Sequence, residues 1–206
     1  MASVHQSNKL IERVAVLIDG PNFHMMAQRL GVRIDYAKFV NAITLGKRAV
    51  IRKVYCQPSS SSKRKMFYRS LKTKYNLEII ECNEGDDVDQ ILNNDLRLIA
   101  IRDDIDTIVL ASGDTDYLEA VNFAHNECGK KIKIVSLDEM MGKRYLGNGF
   151  EIVNLRDLKQ FIVEDQFQKV DRTTESHQKK KHKRHNNSKT QRERYYGSRR
   201  KKDGFR

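Results

Sequence analysis

No apolar run in this 206-residue chain is long enough to span a bilayer, which argues against a helical membrane protein. The segment from Met1 to Glu12 is polar and lacks the apolar centre of a secretion signal. Cysteine is scarce: Cys56, Cys82 and Cys128 are odd in number and show no C-x-x-C spacing. They read as small buried thiols in a reducing compartment, not as a disulfide framework or a zinc site. The expected location is therefore the cytoplasm, or the nucleus in a host that has one. No G-x-G-x-x-G follows the first apolar run, so a dinucleotide-binding enzyme is poorly supported. There is no internal repeat. No histidine stands at ligand spacing from the acidic motifs described below, and His24 and His125 read as surface or helix-face residues.

Apolar residues are also few, at 39%, which is low for a whole globular chain. The shortfall is local. From Lys169 to Arg206 there are 15 Lys and Arg against 4 Asp and Glu. The formal charge of +12 comes almost entirely from that stretch. A near-neutral body can pack a core, whereas the basic segment cannot bury enough apolar surface to offset its ordering entropy. The expected organisation is an N-terminal extension over 1–12, one domain over 13–165 and a disordered basic tail over 166–206.

Within the body, strand and helix patterns alternate. Strands are expected at Arg13–Ile18, Val50–Gln57, Leu77–Glu81, Thr107–Ala111, Lys133–Ser136 and Glu151–Asn154. Helices are expected at Asn22–Leu30, Asp35–Leu45, Lys63–Tyr75, Asp87–Arg102, Thr115–Cys128 and Leu155–Val163. Gly129 reads as a left-handed stop, and Gly142 to Gly149 as a glycine-rich loop. Such alternation specifies a doubly wound α/β sheet. Its ligands bind beyond the carboxyl ends of the strands, where the strand order reverses. In the common arrangement that crevice lies between the strands ending at Asp19 and at Asp114.

Those two strand ends carry the chemistry. The run Val14 to Ile18 ends in Asp19-Gly20-Pro21-Asn22, and Thr107 to Ala111 ends in Ser112-Gly113-Asp114-Thr115-Asp116-Tyr117. A helix start favours ionised carboxylates at Asp114 and Asp116, and Ser112 and Thr115 can hydrogen-bond them or a metal-bound water. In the helix from Asp87, residues Val88, Ile91, Leu92, Leu96 and Ile99 mark the core face. Asp89 lies at its sheet-edge end, while Asp95 interrupts the packed face, where a carboxylate needs a partner. Each motif has an ordinary reading as well: Asp114 as a helix cap, Asp-Gly-Pro-Asn as a turn. Asp19, Asp89, Asp114 and Asp116 converging on one crevice is a stronger signal. Like charges at that density are held together by a divalent cation, and oxygen-only donors suit Mg²⁺ or Mn²⁺ over zinc.

These residues resemble the NYN branch of the PIN-like nuclease superfamily over about Arg13 to Val163. The match rests on Val-Leu-Ile-Asp19-Gly-Pro-Asn22, on Val-Asp89 followed by Asp95, and on Ser112-Gly-Asp114-Thr-Asp116-Tyr. The resemblance implies a Rossmann-like three-layer α/β/α domain with a mainly parallel sheet. It also implies a metal-dependent endoribonuclease in which Asp19, Asp89, Asp114 and Asp116 form the acidic, metal-holding cluster, with Asn22 beside it. Asp95 matches a further acidic position. The chain departs from the pattern at Asp86-Asp87, where many relatives have Lys-Gly, and this makes the site mouth more acidic.

Basic residues supply the expected contacts to RNA. Lys63, Arg64 and Lys65 open a helix that also carries Arg69, Lys72 and Lys74. That helix is either a solvated face or a phosphate-neutralising one. In the tail, Lys179 to Arg184 and Arg199 to Lys202 flank Tyr195 and Tyr196, a pattern for binding polyanions with weak sequence preference. A solubility tail or an import signal reads from the same residues. The expected partner is RNA rather than a membrane, and a homo-oligomer is left open. Two other functions fit the residues: a catalytically weak RNA-binding or interaction module, and a phosphohydrolase acting on nucleotides.

Overall fold

Val14 to Ile18 are all buried, so both faces of this strand are covered, as in a parallel sheet layered by helices. Side chains alternate between two separate cores. Val14, Val16 and Ile18 pack with one set of residues, Ala15 and Leu17 with the other. The computed structural model describes residues 11–83 and 85–164. The tail expected over 166–206, with its two basic clusters and tyrosines, lies outside the described residues. So does most of the expected N-terminal extension.

The chain runs β1 (Arg13–Asp19), α1 (Gly20–Leu30), α2 (Tyr36–Thr44), β2 (Arg48–Cys56), α3 (Ser62–Tyr75), β3 (Glu78–Glu81), α4 (Val88–Ala100) and β4 (Thr107–Ala111). It continues through α5 (Leu118–Asn122), β5 (Lys131–Ser136), β6 (Glu151–Asn154) and α6 (Lys159–Ile162). The six strands form one sheet in the order β3-β2-β1-β4-β5-β6. Every neighbouring pair is parallel. The first core holds Phe23 and Met26 of α1, Phe39 and Ile43 of α2, and Leu71 of α3. The second holds Leu92 and Leu96 of α4 with Ala120 and Val121 of α5. The protein is thus a three-layer α/β/α domain, and strand order reverses between β1 and β4.

Two expected helices are reshaped. The segment 115–128 is not one α-helix. A 3₁₀ turn at Thr115–Tyr117 leads into α5, and a π turn at Phe123–Glu127 follows, closed by Cys128 N–H on the Phe123 carbonyl at 3.2 Å. Apolar periodicity cannot separate these three hydrogen-bond spacings over so few residues. The stop is where expected: Gly129 has φ +65°. The closing helix shrinks to α6. The Asn154 side chain caps Arg156 N–H at 2.9 Å, and tight turns occupy the residues before Lys159.

At the amino edge of the sheet, Glu12 gathers Lys47 at 2.9 Å, Lys131 at 3.2 Å and the Thr107 hydroxyl. Burial alone would raise its pKa, but these donors together hold it down to about 2. A lowered carboxylate contributes stability that is present above its unfolded pKa and lost as pH falls through the folded one. Glu12→Gln is therefore expected to lower the melting temperature at pH 7. The gap from the wild type should close as pH drops from the ordinary glutamate range toward 2. A gap that does not vary with pH in thermal melts would contradict this.

Candidate metal centre

The turn after β1 sets the first side of the site. Asp19 caps α1, its Oδ1 accepting Asn22 N–H at 3.0 Å, and Pro21 occupies the first turn, where a missing N–H costs nothing. Gly20 is required by close approach: a Cβ there would stand 2.5 Å from the Tyr55 carbonyl oxygen. Asp19 is only 4% exposed. Its Oδ2 accepts from the Ser112 hydroxyl at 3.0 Å and from the Tyr117 hydroxyl at 3.1 Å. Asn22 reaches across to β4, where its Oδ1 accepts Gly113 N–H at 3.5 Å.

The turn after β4 sets the second side. Ser112 is fully buried, and its oxygen also accepts Asp114 N–H at 3.2 Å. Asp114 caps the 3₁₀ turn by accepting Asp116 N–H at 3.2 Å. The Tyr145 hydroxyl holds the Asp114 carbonyl, and Asn93 Nδ2 holds the Asp116 carbonyl at 3.1 Å. Thr115 is half-buried, its methyl packed where a side chain on Gly142 would fall.

Helix α4 brings the third side. Asp87 is its cap, accepting Asp89 N–H at 3.0 Å, and Asp86 accepts from the Asn83 backbone and side chain. Asp89 thereby enters the first helical turn at the sheet's carboxyl edge. Asp89, Asp114 and Asp116 offer carboxylate oxygens that all lie within 4.8 Å of one another. Asp89 and Asp114 are half-buried and Asp116 is exposed. Asp19 sits behind them, and the single proton of the Tyr117 hydroxyl lies between Asp19 Oδ2 and Asp89 Oδ1, shared by the two acceptors.

This crowding registers electrostatically. The Asp89 carboxyl is pushed above the usual range by burial, and by the charges of Asp87, Asp114 and Asp116, against the opposing hydrogen bond from Tyr117. Asp19 is also raised, chiefly by burial, with three donors pulling the other way. A cation would relieve that cost. Three half-buried to exposed carboxylates, with no nitrogen or sulfur donor among them, fit a hard, oxygen-seeking divalent ion.

Asp95 is elsewhere. Its Oδ2 accepts from Lys53 Nζ and from the Tyr55 hydroxyl, each at 2.8 Å, so the carboxylate on the packed face has its partners. Asp95→Ala is expected to cost about 1–3 kcal/mol by stranding the Tyr55 hydroxyl and Lys53, with turnover per folded molecule unchanged. Loss of turnover at full folding would place Asp95 in the site instead.

Lys63, Arg64 and Lys65 form the exposed first turn of α3. Since α3 follows the carboxyl end of β2, they stand at the same sheet edge as the acids. Tyr117, Tyr145 and Asn93 escape a reading of the sequence. The one available signal is that Tyr117 places a hydroxyl at a core position directly after Asp116.

An all-parallel Rossmann-like sheet with acids at its switch point is consistent with a PIN-like α/β domain. The profile of the NYN domain matches residues 13–150, and the chain belongs to that family. The family marks it as nuclease-like, and the acidic cluster is equipped to hold a divalent metal. Among solved structures, a Vibrio parahaemolyticus protein of unknown function shares the fold, with a TM-score of 0.64 at 23% identity. The match covers 79% of this chain and all of that one. No curated protein matches the chain. No helix among the described residues is long and apolar enough to cross a membrane.

Proposed function

We propose that this protein is a Mg²⁺- or Mn²⁺-dependent endoribonuclease that hydrolyses RNA phosphodiester bonds. The observation that carries the reading is the meeting of Asp89, Asp114 and Asp116 at the β1–β4 switch point. A bound divalent ion there would lower the pKa of a water and stabilise the leaving oxygen. The protein's own part is positioning. Of the four expected ligands, Asp89, Asp114 and Asp116 hold the ion, while Asp19, hydrogen-bonded behind them, braces the turn with Ser112. Asn22 ties α1 to Gly113. Lys63, Arg64 and Lys65 neutralise incoming phosphates, and Thr115 lines the approach. The free thiols and an RNA substrate suit action in the cytoplasm. Labelled RNA incubated with Mn²⁺ should be cut internally, and cutting should stop with chelator. Binding without cleavage at any divalent ion would leave an RNA-binding module, and cleavage of nucleotides alone would leave a phosphohydrolase.

The basic segment Lys169 to Arg206 adds affinity by counterion release in this reading. Its deletion is expected to weaken RNA binding and leave metal affinity unchanged. The salt dependence should flatten by about 0.7 in log–log slope for each phosphate that is no longer neutralised. Equal affinity and equal slope for full-length and shortened protein would refute the role.

A further inference from the structure

Two of the acids differ in how their oxygens are engaged. Both Asp19 oxygens are taken: Oδ1 by Asn22 N–H, Oδ2 by Ser112 and Tyr117. The single Tyr117 proton is shared with Asp89, so Asp19 has two full donors and a share of a third, and at 4% exposure it presents almost no surface to a ligand. Asp89 is half-buried and accepts one side-chain hydrogen bond, from Tyr117 to Oδ1. Its second oxygen has no hydrogen-bond partner among the described residues. Tyr117 itself is fully buried, packed among Leu92, Leu118 and Val121, so its ring has one place to be. Its hydroxyl is the polar link between the buried acid and the cluster.

We propose that Tyr117 is a positioning residue that aims the Asp89 carboxylate at Asp114 and Asp116, and that Asp19 acts from the second rank, through Tyr117 and Ser112, rather than as a ligand. This rests on the metal-dependent reading above. The physical ground is that a ligand carboxylate free to rotate must lose that freedom on binding, whereas one held by a fixed hydroxyl has already lost it. Outer partners of this kind set ligand orientation, and removing one typically costs about 10–100-fold in metal affinity.

The test is Mn²⁺ affinity, followed by titration calorimetry on the full chain, in the wild type, Tyr117→Phe, Asp19→Asn and Asp114→Asn. Circular dichroism melts of each protein establish folding. Tyr117→Phe and Asp19→Asn are each expected to bind about 10–100-fold more weakly, well short of the loss in Asp114→Asn. The double variant should lose less than the two single losses combined, because both changes break the Tyr117 link and only Asp19→Asn also disturbs Ser112. In RNA cleavage, kcat should fall with KM unchanged. Wild-type affinity in folded Tyr117→Phe would overturn the proposal. So would a loss in Asp19→Asn as severe as in Asp114→Asn, a comparison that decides the matter alone if Tyr117→Phe fails to fold. A wild-type protein that binds no Mn²⁺ would overturn the metal-dependent reading and this inference with it. Wild-type binding with an unaffected Tyr117→Phe overturns this inference only.

Discussion

Asp114→Asn is expected to cut RNA cleavage by about a thousandfold while leaving the fold intact. The rate follows from charge: removing one anionic ligand from a cation that stabilises the transition state costs about 4 kcal/mol, and each 1.4 kcal/mol is tenfold. The stability follows from the same charge with the opposite sign. In the metal-free protein Asp114 stands among Asp89 and Asp116, and a neutral side chain lessens their mutual repulsion. An asparagine oxygen also caps the Asp116 N–H as well as an aspartate does. The variant should therefore melt at the wild-type temperature or slightly above it. Steady-state cleavage and thermal melts on one preparation check both halves. Full turnover in a folded Asp114→Asn protein would remove this residue from the site.

Gly113→Ala should have the largest effect on stability. An added Cβ would lie 2.2 Å from the Met140 carbonyl oxygen, 2.4 Å from the Ser136 hydroxyl and 2.9 Å from the Met140 carbonyl carbon. Two of those atoms are backbone, and Met140 is anchored by its own N–H on Leu137, so no side-chain rotation relieves the clash. The turn must open instead. That breaks the 2.9 Å bond from Gly142 N–H to the Gly113 carbonyl and moves Ser112 and Asp114, which flank the glycine. The expected loss is about 3 kcal/mol, or roughly 10 °C in melting temperature for a domain of this size. Activity should fall further than the folded fraction does, because the flanking acids shift. An alanine variant with wild-type melting and cleavage would show that the β4 turn tolerates what its packing forbids.

Much of the architecture was legible from periodicity because each strand of a doubly covered sheet must be apolar on both faces. Val14 to Ile18 and Thr107 to Ala111 say so without ambiguity, and their neighbouring positions follow from the strand order of doubly wound sheets. Asp19 and Asp114 could be brought together on those grounds alone. Hydrogen-bond spacing inside a short helix was not legible, since the 3₁₀, α and π turns between Thr115 and Glu127 each span only three to five residues, too few for apolar spacing to tell them apart. Partnerships between side chains distant in sequence were equally hidden. Asp95 carries the same apolar-face signal whether a metal or Lys53 and Tyr55 stand opposite it. Tyr117 reads as another core aromatic until its hydroxyl is seen between Asp19 and Asp89. Gly113 reads in the sequence only as part of the motif after β4, but its reason is the Met140 backbone, in the 3₁₀ turn that follows β5.

Crystals soaked in Mn²⁺ and measured at the manganese absorption edge test the central claim most directly. The expected anomalous peak lies at the β1–β4 switch point, within ligand distance of the Asp89, Asp114 and Asp116 carboxylates, and it vanishes in Asp114→Asn. A peak held by other residues, or none at that edge in a protein that still cleaves RNA, would contradict the account.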